Sequence, residues 1–215
     1  MKAIFNEIKL DLVYICDRLI FNLVHMPPKP QIKIMLSSTV HGSKHIIESI
    51  YATLVGFGYK VLCSHMGTVY PKPGLSPEES CLAAVEECDF FFGVIFPYYG
   101  SGITHKEFAK AVELNKPRGF LAHSHIPFLR TLLRKIMYDE HGSRTEFKLD
   151  KSTVLDSLEV IEMYNLAIGH GLPLQNRLWT QEFSKYEIDG SPFIKTLFED
   201  YSRFENDLNE LKHGK

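Results

Sequence analysis

The sequence has no pair of cysteines at CxxC spacing: Cys16, Cys63, Cys81 and Cys88 stand apart. That scatter fits reduced thiols better than a disulfide framework or a zinc site. It has no basic cluster either. Its 24 Lys and Arg are offset by 26 Asp and Glu, for a formal net charge of −2, so no nucleic-acid partner is expected, since neutralising phosphates needs clustered cations. An uncharged apolar run of about 20 residues, the length a membrane span requires, is also missing. The best candidate, residues 3–24, is interrupted by Glu7, Lys9, Asp11, Asp17 and Arg18, which also breaks the apolar stretch of a signal peptide. The expectation is a soluble, cytoplasmic protein with no membrane partner. No GxGxxG follows the first predicted strand, which argues against a conventional NAD dehydrogenase. Internal repeats and low-complexity tracts are absent.

What is present is enough apolar content, 45% of 215 residues, to bury a full core. Ile4, Ile8, Leu12, Ile15, Leu19 and Leu23 recur at helical spacing and predict an amphipathic helix, ended by the stiff Met26-Pro27-Pro28-Lys29-Pro30 linker. This helix either packs on its own domain or mediates self-association into a homo-oligomer. From Ile32, short apolar strands alternate with helical patterns: strands at about 32–36, 59–63, 90–96 and 118–122, the third buried on both faces. Ser76-Pro77-Glu78-Glu79 opens one of the helices as a capping box. Short connections of this kind force parallel strands with right-handed crossovers. The fold class is therefore α/β, a doubly wound parallel sheet of four or five strands in order 2-1-3-4. Residues 152–168 read as a helix, 177–183 as a further strand and 192–212 as a charged terminal helix. The organisation expected is 1–30 helix and linker, 31–137 sheet domain, and 138–215 a mainly helical extension packed on it.

Ligands of open parallel sheets bind beyond the strands' carboxyl ends, where the winding reverses. Four segments, 37–42, 63–70, 97–105 and 123–127, face that side. They carry hydroxyls (Ser37, Ser38, Thr39, Ser101, Thr104), Tyr98 and Tyr99, the glycines Gly42, Gly100 and Gly102, and His41, His65, His105, His123 and His125, but no Asp or Glu. Glycines at 100 and 102 either let backbone amides approach a phosphate or simply permit a tight turn. Glu107 is the first acid after the third segment. Thr104-His105-Lys106-Glu107 has the form of a capping box, in which Glu107 reaches back to its own helix; alternatively Glu107 tilts into the crevice, where it is expected to be ionised near neutrality. His123 and His125 lack an obvious completing ligand, so no metal site is expected.

The stretches KIMLSST (33–39), GFGYKV (56–61), CLAAVEECDFFFGVI (81–95), YYGSGITHKEF (98–108) and NKPRGFLAHSH (115–125), with RLWTQEF (177–183) as a tail, resemble a mostly bacterial family catalogued as a domain of unknown function. Common members carry Asp-Leu and then Glu-Arg after SST. This chain has His41-Gly42 and Ile46-Ile47, so no role of those charges transfers. More distantly the layout is similar to TIR domains and nucleoside deoxyribosyltransferases. That resemblance implies a flavodoxin-like or TIR-like sheet, and a catalytic glutamate acting on a ribosyl carbon at the position of Glu107. It implies cleavage or transfer at the N-glycosidic bond of NAD or a nucleotide, as a hydrolase or transferase with NAD as substrate and no cofactor. Ser37, Ser38, Thr39, Tyr98, Tyr99, Gly100, Ser101 and Thr104 would form the ligand-binding set. The alternative is a non-catalytic module that senses a nucleotide or assembles with a partner.

Overall fold

The computed structural model describes residues 31–39, 43–150 and 154–213. Residues 3–24, His41 and Gly42 lie outside them, and with them the expectations for the N-terminal helix. Residues 32–215 form one compact unit. Its elements run β1 (Lys33–Ser38), α1 (Lys44–Gly56), β2 (Lys60–Leu62), α2 (Pro77–Glu87), β3 (Phe90–Ile95), α3 (Ile103–Glu113), β4 (Arg118–His123), α4 (His125–Met137), α5 (Glu159–Ile168), β5 (Gln181–Phe183), α6 (Ser191–Phe198) and α7 (Tyr201–His213). The five strands form one sheet in the order β2-β1-β3-β4-β5, and every pairing is parallel. The winding reverses after β2, so β1 and β3 are neighbours, and their carboxyl ends form the switch point at which open parallel sheets bind ligands.

The period-2 alternation of strand side chains divides the core into two layers. Ile34, Leu36, Phe90, Phe92 and Val94 face α1, α6 and α7, where they meet Ile47, Ile50, Ile194, Phe198 and Phe204. Met35, Phe91 and Ile95 face the other way, toward Val85, Phe108, Ala111 and Ile161 of α2, α3 and α5. Ser37 shares the parity of Met35, so it belongs to the α2–α3 side. Its register partner on β3 is Gly93. A Cβ on Gly93 would sit 2.0 Å from the tip of the Phe108 ring. The strand lacks a side chain there because the α3 phenylalanine occupies its place.

Helix ends follow local chemistry in one case and depart from it in another. At α2 the capping box forms as expected: Ser76 Oγ accepts from the Glu79 amide at 3.2 Å, and the Glu79 carboxylate accepts from the Ser76 amide at 2.7 Å. At α3 it does not. The helix begins after Gly102, whose φ of 79° makes it a left-handed N-cap, and no side chain caps it. Because two glycines (Gly100 at φ 61°, Gly102 at φ 79°) permit this early start, Thr104 is already helical and Glu107 lies in the second turn, too far along to reach back.

The C-terminal region also differs from the expected elements. The strand expected at 177–183 is confined to Gln181–Phe183, and the helix expected from 152 begins at Glu159. The terminal helix is two, α6 and α7, parted at Glu199-Asp200. The break lets both helices lie on the sheet. Phe198 meets Phe90, Phe92 and Tyr59 edge-on, and Tyr201 stacks on Tyr59 at 4.9 Å. Tyr201 Oη accepts from the Ile32 amide at 3.0 Å, so the last helix is tied to the entry of the first strand. Among the described residues no helix is long and apolar enough to cross a membrane.

Candidate functional site

The carboxyl end of β1 presents Ser37 toward α2 and α3. Phe108, seated over Gly93, fixes how close α3 approaches the sheet, and Glu107, one residue earlier, is thereby brought above Ser37. Ser37 Oγ donates a short hydrogen bond to Glu107 Oε2. Both groups are buried: Ser37 is 1% and Glu107 3% exposed. Cys81, from the first turns of α2, adds a second hydrogen bond to the carboxylate. Three consecutive βα units thus each contribute one polar group to a single buried cluster.

Removing a carboxylate from water favours its neutral form. Burial raises the Glu107 pKa from the ordinary 4.5 to about 7, against the opposing hydrogen bonds from Ser37 and Cys81. The expectation of an ionised Glu107 near neutrality is corrected accordingly: at pH 7 the two forms are near balance. The thiols beside it respond in the same sense. Burial, with the Glu107 charge added, pushes Cys81 up to about 12 and raises Cys63. Both remain protonated thiols at neutral pH and do not qualify as activated nucleophiles.

The other expected site residues fall into three groups. Thr39, 9% exposed, points a buried hydroxyl that finds no partner among the described residues, while Ser38 Oγ donates to the Thr39 carbonyl at 3.0 Å. Gly100 lies against Thr39, where a Cβ would come 3.7 Å from its methyl group. Thr39 and Gly100 therefore adjoin, at the ends of neighbouring strands β1 and β3. Tyr99 is half-buried, with its hydroxyl 3.0 Å from His105 Nδ1 and its amide donating to Asp156 at 2.7 Å. Its ring also packs against Gly102, where a Cβ would stand 3.1 Å away. Tyr98 is half-buried, Thr104 is buried, and Ser101 is exposed and accepts weakly from the Ile103 amide.

Sequence reasoning missed Cys81, Asp156 and Gly93. Cys81 lies on the apolar stripe of its helix and gives no local sign of a distant carboxylate. Asp156 holds the turn at Tyr99 from 57 residues away. His123 and His125 stack edge-on at 4.4 Å, and no group of three or more His, Cys, Asp or Glu able to hold a metal occurs among the described residues.

Residues 33–156 match the family model described as Domain of unknown function (DUF4062). The chain belongs to this family. No curated protein matches the sequence. Among solved structures, this DUF4062 member is similar to the TIR domains of the activated Roq1 resistosome that recognises the pathogen effector XopQ, at 12% identity over 79% of this chain and 99% of that one, with a TM-score of 0.49. It is also similar to a 2-deoxyribosyltransferase from the bacterium Bacillus psychrosaccharolyticus, at 22% identity over 42% of this chain and 72% of that one, TM-score 0.34. A 2-deoxyribosyltransferase from Leishmania mexicana is similar at 16% identity over 66% of this chain and 100% of that one, TM-score 0.39. Likenesses of this size concern the arrangement of strands and helices and carry no argument about chemistry.

Proposed function

We propose that the chain recognises a nucleotide and that Glu107 acts on its ribosyl carbon, cleaving or transferring at the N-glycosidic bond of NAD or a related nucleotide. The observation that carries this reading is the Glu107 carboxyl group itself. It is buried at the carboxyl end of the central strands, bonded to Ser37 and Cys81 and held at a pKa of about 7. A charge removed from water at such cost marks a functional-site candidate.

The cluster offers one carboxylate, whereas O-glycoside hydrolysis normally uses two. One suffices when the leaving group needs no proton. Nicotinamide departs from NAD as a neutral base: the C1′–N bond breaks, its electron pair leaves with the ring nitrogen, and positive charge develops on the ribosyl group. Anionic Glu107 would stabilise that charge, or attack C1′ to form an ester that water then opens. The unpartnered Thr39 hydroxyl supports a ligand contact nearby, to a ribose hydroxyl or phosphate oxygen. Tyr98 would line the pocket.

The test is incubation of the protein, at high concentration to permit assembly, with NAD and common nucleosides. Glu107→Gln should lower turnover at least about a hundredfold, as loss of a principal electrostatic stabiliser does. Since the ionised form is the active one, kcat/KM should rise with pH and level off above about 7, the value for the free protein. Activity retained by the glutamine variant would remove Glu107 from the mechanism. The 3% exposure of Glu107 favours a second reading, in which it is a fixed internal bond and the domain senses a nucleotide or assembles with a partner. Inertness of the wild type toward every nucleotide, in its assembled form, would select that reading.

A further inference from the structure

A cavity of about 360 Å³ lies between the C-terminal halves of α4 and α5 and shares no residue with the Glu107 cluster. Arg130 and Arg134, one turn apart on α4, line it with Lys135. The guanidinium of Arg130 is half-buried, yet its partners are neutral: Nε donates to the Asn165 side-chain oxygen, and one terminal nitrogen lies 2.8 Å from His170 Nδ1. Asn165, 9% exposed, is held in turn by a 3.0 Å bond from its amide nitrogen to Tyr138 Oη. Neither Arg134 nor Lys135 forms an ion pair among the described residues.

The acids nearby are largely committed elsewhere. Asp139 lines the cavity, but its Oδ1 accepts from the His141 and Ser143 amides at 2.9 and 2.8 Å, closing its own turn. Glu162 is taken by Arg144 at 3.2 Å and by the Tyr138 hydroxyl at 2.7 Å. Glu140 is exposed at the rim. Arg177 adds its positive field to Arg130 and His170. A partly desolvated cation is normally paired with an anion. Arg130 has its side-chain geometry fixed by Asn165 and His170 while the counter-charge is missing.

We propose that this cavity binds a small phosphate-bearing molecule, its phosphate seated between Arg130 and Arg134 with Lys135 at the entrance. Guanidinium groups match phosphate oxygens in a planar fork. The volume falls in the range of small-molecule sites and exceeds what inorganic phosphate alone would fill. The organic portion would lie along Tyr138 toward Gly142. The site stands independently of any chemistry at Glu107.

The experiment is titration of the full chain with inorganic phosphate and with pyrophosphate at constant ionic strength, followed by calorimetry and by the shift in melting temperature, with chloride as the control anion. Wild type should give a saturable stabilisation, stronger for pyrophosphate. Arg134→Ala removes an exposed cation without disturbing the Arg130–Asn165–His170 set, and should weaken binding about tenfold or more, the usual loss for a charged hydrogen bond. Arg130→Ala should abolish it; should that variant fold poorly, Arg134→Ala still decides. Lys72→Ala, at an exposed lysine of the loop before α2 that does not line the cavity, should bind as wild type does. No saturable response in wild type, or an equal response in Arg134→Ala, overturns the proposal.

Discussion

Glu107 is a residue whose protonation is coupled to folding. Its pKa stands at about 7 in the folded chain against an ordinary value of 4.5. A carboxyl group raised on folding lends its stability below pH 4.5, and that contribution is lost as pH climbs through 7, because the unfolded chain then releases a proton the folded one retains. The shift corresponds to about 3 kcal/mol. Replacing the group with a neutral isostere removes the slope. Relative to wild type, Glu107→Gln should therefore gain about 3 kcal/mol between pH 4.5 and pH 8, measured by urea denaturation at both values. A difference between the two proteins that does not change with pH would mean that the carboxyl group is not held as described. The sequence placed Glu107 near the crevice and left open a cap on its own helix, which does not form. The reason is local: two glycines at positive φ advance the start of α3, and no residue-by-residue pattern announces by how much.

At the scale of elements, the decisive contact joins β3 to α3. Gly93 to Ala would drive a methyl group into the Phe108 ring, since the ring tip stands 2.0 Å from that Cβ position. The ring is 1% exposed and packs on Phe91 and Phe120, so it has nowhere to turn. Gly93→Ala should cost about 2 kcal/mol or more, in the range for an overpacked core. Because the strain lifts α3, it should also separate Glu107 from Ser37, removing a hydrogen bond that holds the Glu107 pKa down. Combining it with Phe108→Leu should return part of the loss, as contacting residues do in a double-mutant cycle; strict additivity would show that the two positions are not coupled. The strands and their order were legible because apolar runs of strand length alternate with helical periods. Gly93 was not, because a glycine inside an apolar strand is indistinguishable on sequence from any other small residue. Cys81 was silent for a similar reason, since an apolar stripe tolerates a thiol whether or not it meets a carboxylate.

For the folded unit as a whole, α6 and α7 are part of the core. Ile194, Phe198, Phe204 and Leu208 complete the layer over β1 and β3, and Tyr59 Oη donates to the Phe198 carbonyl at 2.8 Å. A chain ending at Gly190 would leave Phe90, Phe92 and Tyr59 uncovered. It should show no cooperative thermal transition and should bind an apolar dye, with secondary structure retained; a sharp two-state melt of that shortened chain would contradict this. The helical character of the terminus was readable from its periodicity, while its seat on the sheet was not, because nothing local tells an amphipathic helix which face of which strand it will meet. The order of synthesis gives this seat a further meaning. Phe92 leaves the ribosome roughly a hundred residues ahead of Ile194, which at 5–20 residues per second is an interval of about 5–20 s. Throughout it, that side of the nascent sheet is covered by α1 alone. The domain therefore completes only once α7 has been made, and the aromatic face waiting on α6 and α7 is where a chaperone would hold it.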